Sequence, residues 1–257
     1  MLEPDAGSVG QLRMTKPSKA NTQREPQICY LCGGGLGSEK TRDHVPPSQI
    51  FPERLRKGLS LLKLPAHKQC NYDYQKDEEY FVVTLSPVAG DSSAGRSLWE
   101  DLSHKFGKPG GRRLGEMVRK EFYSVELPGE MKAKTFDGRR VRRVIAKIVR
   151  GLFCHEQGRF LPIETPCRTD VFGPHERPDD DIREILGYAI SAQSKGASPN
   201  IFDYRYRDHN HDDFPDLGAL HLWFCAMLFW DAVTTLTVFH DPKCTCQICS
   251  PPLDCQD

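Results

Sequence analysis

The sequence predicts an α+β protein: a small β-β-α unit closed by a metal clasp, followed by a mixed α/β region. Three observations carry this expectation. Cys29/Cys32 and His67/Cys70 form two pairs, each with two residues between its members, the usual spacing of a closed tetrahedral zinc site. The loop between them reads as strand, Pro-Pro stop, strand and helix start. The second half then passes from a basic amphipathic helix through an acidic stretch to aromatic, strand-like runs.

The 257 residues, 38% hydrophobic and with zero formal net charge, suffice for one large domain or two small ones with a real core. The longest apolar run, Leu220 to Trp230, contains His221 and is followed by Asp231, so no membrane span is expected. Residues 1–27 carry no apolar signal segment, and the expected compartment is the cytoplasm. In that setting the ten cysteines read as metal ligands where they are paired, not as a disulfide framework. Cys154, Cys167 and Cys225 stand alone and read as buried thiols.

Residues 1–27 are polar and read as a flexible tail. Gly33-Gly34-Gly35 supplies the positive φ that a chain turning around a metal needs. Lys40 to Val45 is a short strand stopped by Pro46-Pro47, Leu59 to Leu64 the second strand, and Asn71 to about Leu85 a helix with Asn71 at its N-cap. Residues 28–86 thus form one module, and 87–243 a mixed α/β region that starts with a short helix over Ser97 to Phe106. From Lys105 to Arg150 there are 14 Lys/Arg against 5 Asp/Glu, a formal +9. Val141, Val144, Ile145, Ile148, Val149 and Leu152 trace one helical face there. Arg139, Arg140, Arg142, Arg143 and Lys147 occupy much of the rest, a pattern suited to phosphate contact or to a solvated surface.

Residues 170–216 reverse the sign, 11 acids against 5 bases. DDDIREILGYAISAQSK reads as an acid-opened helix and IFDYRYRDHNH as an exposed strand. LHLWFCAMLFWDAVTTLTVFH then reads as two buried strands turning at Trp230-Asp231. His209 and His211 read as exposed loop residues. In the Cys-rich tail, 244–257, Cys244, Cys246, Cys249 and Cys255 leave open either a second zinc or reduced thiols.

The order Cys-x-x-Cys, Asp43-His44-Val-Pro-Pro, Leu-Pro-Ala-His67-x-x-Cys70-Asn71 resembles the HNH endonuclease superfamily, the ββα-metal nucleases, in a zinc-bearing form. The likeness covers about a fifth of the chain. It implies a structural zinc on Cys29, Cys32, His67 and Cys70, with Asp43 and Asn71 holding a catalytic Mg²⁺ or Mn²⁺. His44 would act as the general base on water, and Arg42 or Lys76 would steady the phosphate. The family's middle Asn aligns with Ser60, a departure. The implied activity is hydrolysis of phosphodiester bonds in DNA, with RNA left open. One such centre nicks one strand, and a double-strand break needs a homodimer or two encounters. The same residues also suit a zinc knuckle that only binds nucleic acid, or an interaction protein that senses a ligand through residues 90–257.

Overall fold

The computed structural model describes residues 28–125, 131–196, 198–209 and 222–240. The expected tail over 1–27, His211 and the four cysteines of 244–257 lie outside the described residues. The chain enters through a knuckle in which the Cys29 amide donates to Gly34 O and the Gly33 amide to Cys29 O, both at 2.8 Å. Gly33 has φ 72°, and a Cβ there would lie 2.7 Å from the Phe160 ring. Glycine is therefore needed twice, for the turn and for the close approach.

Strand β1 (Lys40–His44) pairs antiparallel with β2 (Lys63–His67), with Lys40 opposite His67 and Asp43 opposite Leu64. The second strand was expected over Leu59–Leu64 and lies further on. Pro65 lies inside it and is tolerated, because in a two-stranded sheet its missing donor faces no partner strand. Ser60 consequently sits in an exposed loop before the strand. The helix expected from Asn71 also starts earlier. Following the short α1 (Glu53–Arg56), α2 (Lys68–Tyr72) begins straight after His67, and α3 (Gln75–Leu85) follows a break at Asp73-Tyr74. Asn71 is thus inside α2 and not its cap, and the early start sets Cys70 one turn from His67 on the metal side.

Helices α4 (Ser93–Phe106) and α5 (Arg112–Glu121) and the hairpin β3 (Phe122–Val125) and β4 (Met131–Lys134) lead to α6 (Gly138–Gln157). Asp137 caps α6 by accepting from the Arg139 and Arg140 amides at 3.1 and 3.4 Å, and Gly158 at φ 65° ends it. The expected apolar face is buried in full: Val141, Val144, Ile145, Ile148, Val149 and Leu152 are each at most 3% exposed. After β5 (Cys167–Phe172) and α7 (Asp180–Ile190) come β6 (Phe202–His209), β7 (Leu222–Phe229) and β8 (Val233–His240). They form an antiparallel sheet in the order β5-β8-β7-β6.

The two-residue alternation of β7 explains how this sheet is covered. Leu222, Phe224 and Ala226 pack with Ile182, Ile185 and Leu186 of α7. Trp223, Cys225, Met227 and Phe229 face the main core, where Phe153 of α6 meets Trp223 and Phe81 of α3 meets Phe229 edge to face. The hairpin turns at Trp230-Asp231, both with positive φ, and the Trp230 indole donates to Ile50 O at 2.8 Å. β6 was expected to be exposed, but Phe202, Tyr204 and Tyr206 are buried. Cys154 and Cys225 are buried free thiols, as expected. Cys167 is disulfide-bonded instead of free; a lone cysteine in sequence can have a distant partner.

One glycine fixes how closely α6 lies on the motif. A Cβ at Gly151 would fall 2.6 Å from both Val45 methyls, one residue after His44. Gly151→Ala is expected to lower stability by about 1–3 kcal/mol through overpacking. Gly187→Ala, where a Cβ meets nothing within 4 Å, should instead gain up to about 1 kcal/mol from helix propensity. Denaturant midpoints of the two variants check the contrast.

Candidate metal clasp and the cavity beside it

The four clasp residues converge. The ligand atoms of Cys29, Cys32, His67 and Cys70 all lie within 4.8 Å of one another. His67 Nδ1 is 3.3 Å from Cys32 Sγ and 3.7 Å from Cys70 Sγ, while Nε2 lies 3.0 Å from Gly35 O. A proton on Nε2, donated to that carbonyl, leaves the Nδ1 lone pair facing the thiols, the arrangement that metal-bound imidazoles use. Burial and the nearby Cys32 and Cys29 thiols push Cys70 up to about 12, so a metal entering the cluster displaces protons. This Cys₃His donor set can hold a metal such as zinc.

Alternate residues of β1 diverge across the strand. Asp43 is 5% exposed and points inward, while His44 is half-buried; both line a cavity of about 560 Å³. Asp43, His44, Asn71, Lys76, Glu78 and Glu79 are among its lining residues; Ser60 is not. Desolvation, with Lys63 opposite in the ladder, lowers the His44 pKa below its usual value against the opposing pull of Asp43. Desolvation and Lys63 both favour the neutral imidazole. Its ring makes no hydrogen bond among the described residues, so the orienting role expected of the family's middle residue is unfilled.

Asp43 is anchored from beneath. Its Oδ2 accepts from the Tyr30 hydroxyl at 2.6 Å and lies 2.7 Å from Lys147 Nζ. The same ammonium contacts Glu78 Oε1 and donates to Asn71 Oδ1 at 3.2 Å. Burial raises the Glu78 pKa, opposed by Lys147. Tyr30, Glu78 and this role of Lys147 are not singled out by motif. Asn71 is on α2 and Glu78 on α3, and the two meet at Lys147 across the break between these helices.

The basic residues of α6 are divided. Lys147 is 1% exposed and is a counter-ion inside the protein, not part of a surface stripe. Arg140 and Arg143 reach Asp77 at 2.6 and 2.5 Å and lie over the Tyr80 and Tyr74 rings, 4.1 and 4.6 Å from their centres. Arg142 is partly buried, and its Nε has no partner among the described residues. Arg139 and Arg42 are exposed. No helix among the described residues is long and apolar enough to cross a membrane. Compared with family models, curated proteins and solved structures, the chain finds no match.

Proposed function

We propose that the chain is a phosphodiester hydrolase of the HNH type that nicks DNA, with His44 as general base. The observation that carries this reading is that His44, Asp43 and Asn71 line one cavity beside a Cys₃His clasp. His44 takes a proton from water as the water oxygen attacks the phosphorus; the bond to the 3′ oxygen breaks and that oxygen leaves with a proton from solvent. Lys76 on the cavity wall meets a phosphoryl oxygen, and exposed Arg42 and Arg139 are further cations for the backbone. Zinc in the clasp does no chemistry in this scheme; it holds β2 and α2 against the knuckle. A double-strand break requires two copies or two successive encounters.

The expected divalent cation does not fit as the resemblance has it. Asp43 Oδ2 and Asn71 Oδ1 both face the Lys147 ammonium, at 2.7 and 3.2 Å, so a divalent ion on these two side chains would sit beside a fixed positive charge. No step is therefore assigned to that ion. The unanchored His44 ring favours a second reading, a clasped module that binds nucleic acid without cutting it.

Nicking of supercoiled plasmid by the zinc-loaded full chain separates the two. Cutting by the wild type and not by His44→Ala supports hydrolysis; binding of the plasmid without cutting supports the second reading. The rate should fall on the acid side with a midpoint below 6.5, the reference value for His. Lys63→Gln removes a positive charge that disfavours imidazolium, so the His44 pKa rises and the acid limb moves to higher pH. A pH–rate profile of the two proteins checks the direction.

A further inference from the structure

We infer that Lys147 is a tethered cation that binds Asp43 Oδ2, Asn71 Oδ1 and Glu78 Oε1 from behind the cavity wall and keeps a divalent metal off these side chains. The inference rests on the reading of the cavity as a hydrolytic centre, and it removes that reading's metal. One ammonium, 1% exposed, faces three oxygens from three elements: Asp43 Oδ2 on β1 at 2.7 Å, Asn71 Oδ1 on α2 at 3.2 Å, and Glu78 Oε1 on α3. Two carboxylates and one amide oxygen converging on a point are the ligand chemistry of a hard cation. An ammonium with three donors satisfies the same oxygens without leaving open coordination positions.

Lys147 enters from α6, outside the motif, and is held there by a helix whose neighbouring side chains are buried. Its charge cannot leave without unpacking that helix. A divalent ion sharing these oxygens would sit a few ångströms from a fixed positive charge, and the repulsion is strong in a partly desolvated site. Lys147 does not reach the cavity surface, so it is a positioning residue: it holds Asp43, Asn71 and Glu78 together and offsets their charge from behind.

The test is Mn²⁺ binding to the zinc-loaded full chain, followed by electron paramagnetic resonance. Wild type is expected to show no site dependent on Asp43. Lys147→Met should create one that binds Mn²⁺ at least about tenfold more tightly, from the loss of one opposing unit charge, and the double variant Lys147→Met/Glu78→Gln should lose it again. If Lys147→Met does not fold, the wild-type measurement still decides. A wild-type Mn²⁺ site abolished by Asp43→Asn overturns the proposal, as does a folded Lys147→Met that gains no site. Nicking distinguishes the two levels of the reading. Wild type should nick in magnesium-free buffer at one zinc per chain. A strict need for Mg²⁺ overturns the inference and leaves the nuclease reading intact. No nicking with or without Mg²⁺ overturns the nuclease reading, while the Mn²⁺ result stands by itself.

Discussion

Cys70→Ser, or removal of zinc by a chelator, is expected to abolish the cooperative thermal transition of the protein. The clasp is tied to the core through the knuckle, although Cys32 itself is exposed. Cys29, Tyr30 and Leu31 are at most 3% exposed and belong to the main core, together with Phe81, Ile145 and Phe229. The apparent free energy of a structural zinc site is about 10–16 kcal/mol at neutral pH, as large as the whole stability of a typical domain, about 5–15 kcal/mol. Losing it frees the knuckle, exposes Tyr30 and removes the hydroxyl that anchors Asp43. Because the Cys70 thiol is held high without metal, zinc uptake should release protons and weaken as pH falls. Metal content by mass spectrometry under native conditions, with a thermal scan of the same sample, measures both effects. A metal-free protein with an unchanged transition would contradict this role.

His44→Ala is expected to reduce nicking by about 10²–10⁴, the usual contribution of a positioned general base, while leaving the thermal transition within about 0.5 kcal/mol of wild type. The ring is half-buried and has no hydrogen-bond partner among the described residues, so removing it costs little packing. The separation of the two readouts is the useful feature. Asp43→Ala should fail on both, because it strips a partner from Tyr30 and leaves the buried Lys147 with Glu78 as its remaining carboxylate, and removing one member of a buried ion pair costs up to about 3–5 kcal/mol.

The parts of the fold that can be read from the chain are those set by local spacing. Two residues between paired ligands, a Pro-Pro stop after Asp43-His44 and the periodicity of Val141 to Leu152 each report a constraint acting within one element. The β7–β8 hairpin is legible for the same reason, since its apolar length and the Trp230-Asp231 turn are contiguous. The misplaced boundaries have local causes as well. Pro65 looks like a strand end unless the strand is known to be an edge, and Asn71 looks like a cap unless the clasp is known to start the helix at Lys68. What cannot be read is the meeting of distant elements. Periodicity along α6 says that Lys147 shares a face with other bases, but not that Asp43 and Glu78, more than 60 residues earlier, present their carboxylates to it. A basic stripe and a buried counter-ion have the same local pattern; only the partner distinguishes them. The disulfide at Cys167 is hidden likewise, being a property of a pair.

The central claim is that an imidazole at position 44 activates water against a phosphodiester. Imidazole rescue of His44→Gly tests it most directly, in a plasmid-nicking assay at fixed pH and one zinc per chain. The account predicts that the variant is nearly inert and that added imidazole restores cutting saturably, with no effect on wild type. A variant that cuts as fast as wild type, or a wild type that does not cut at all, would contradict it.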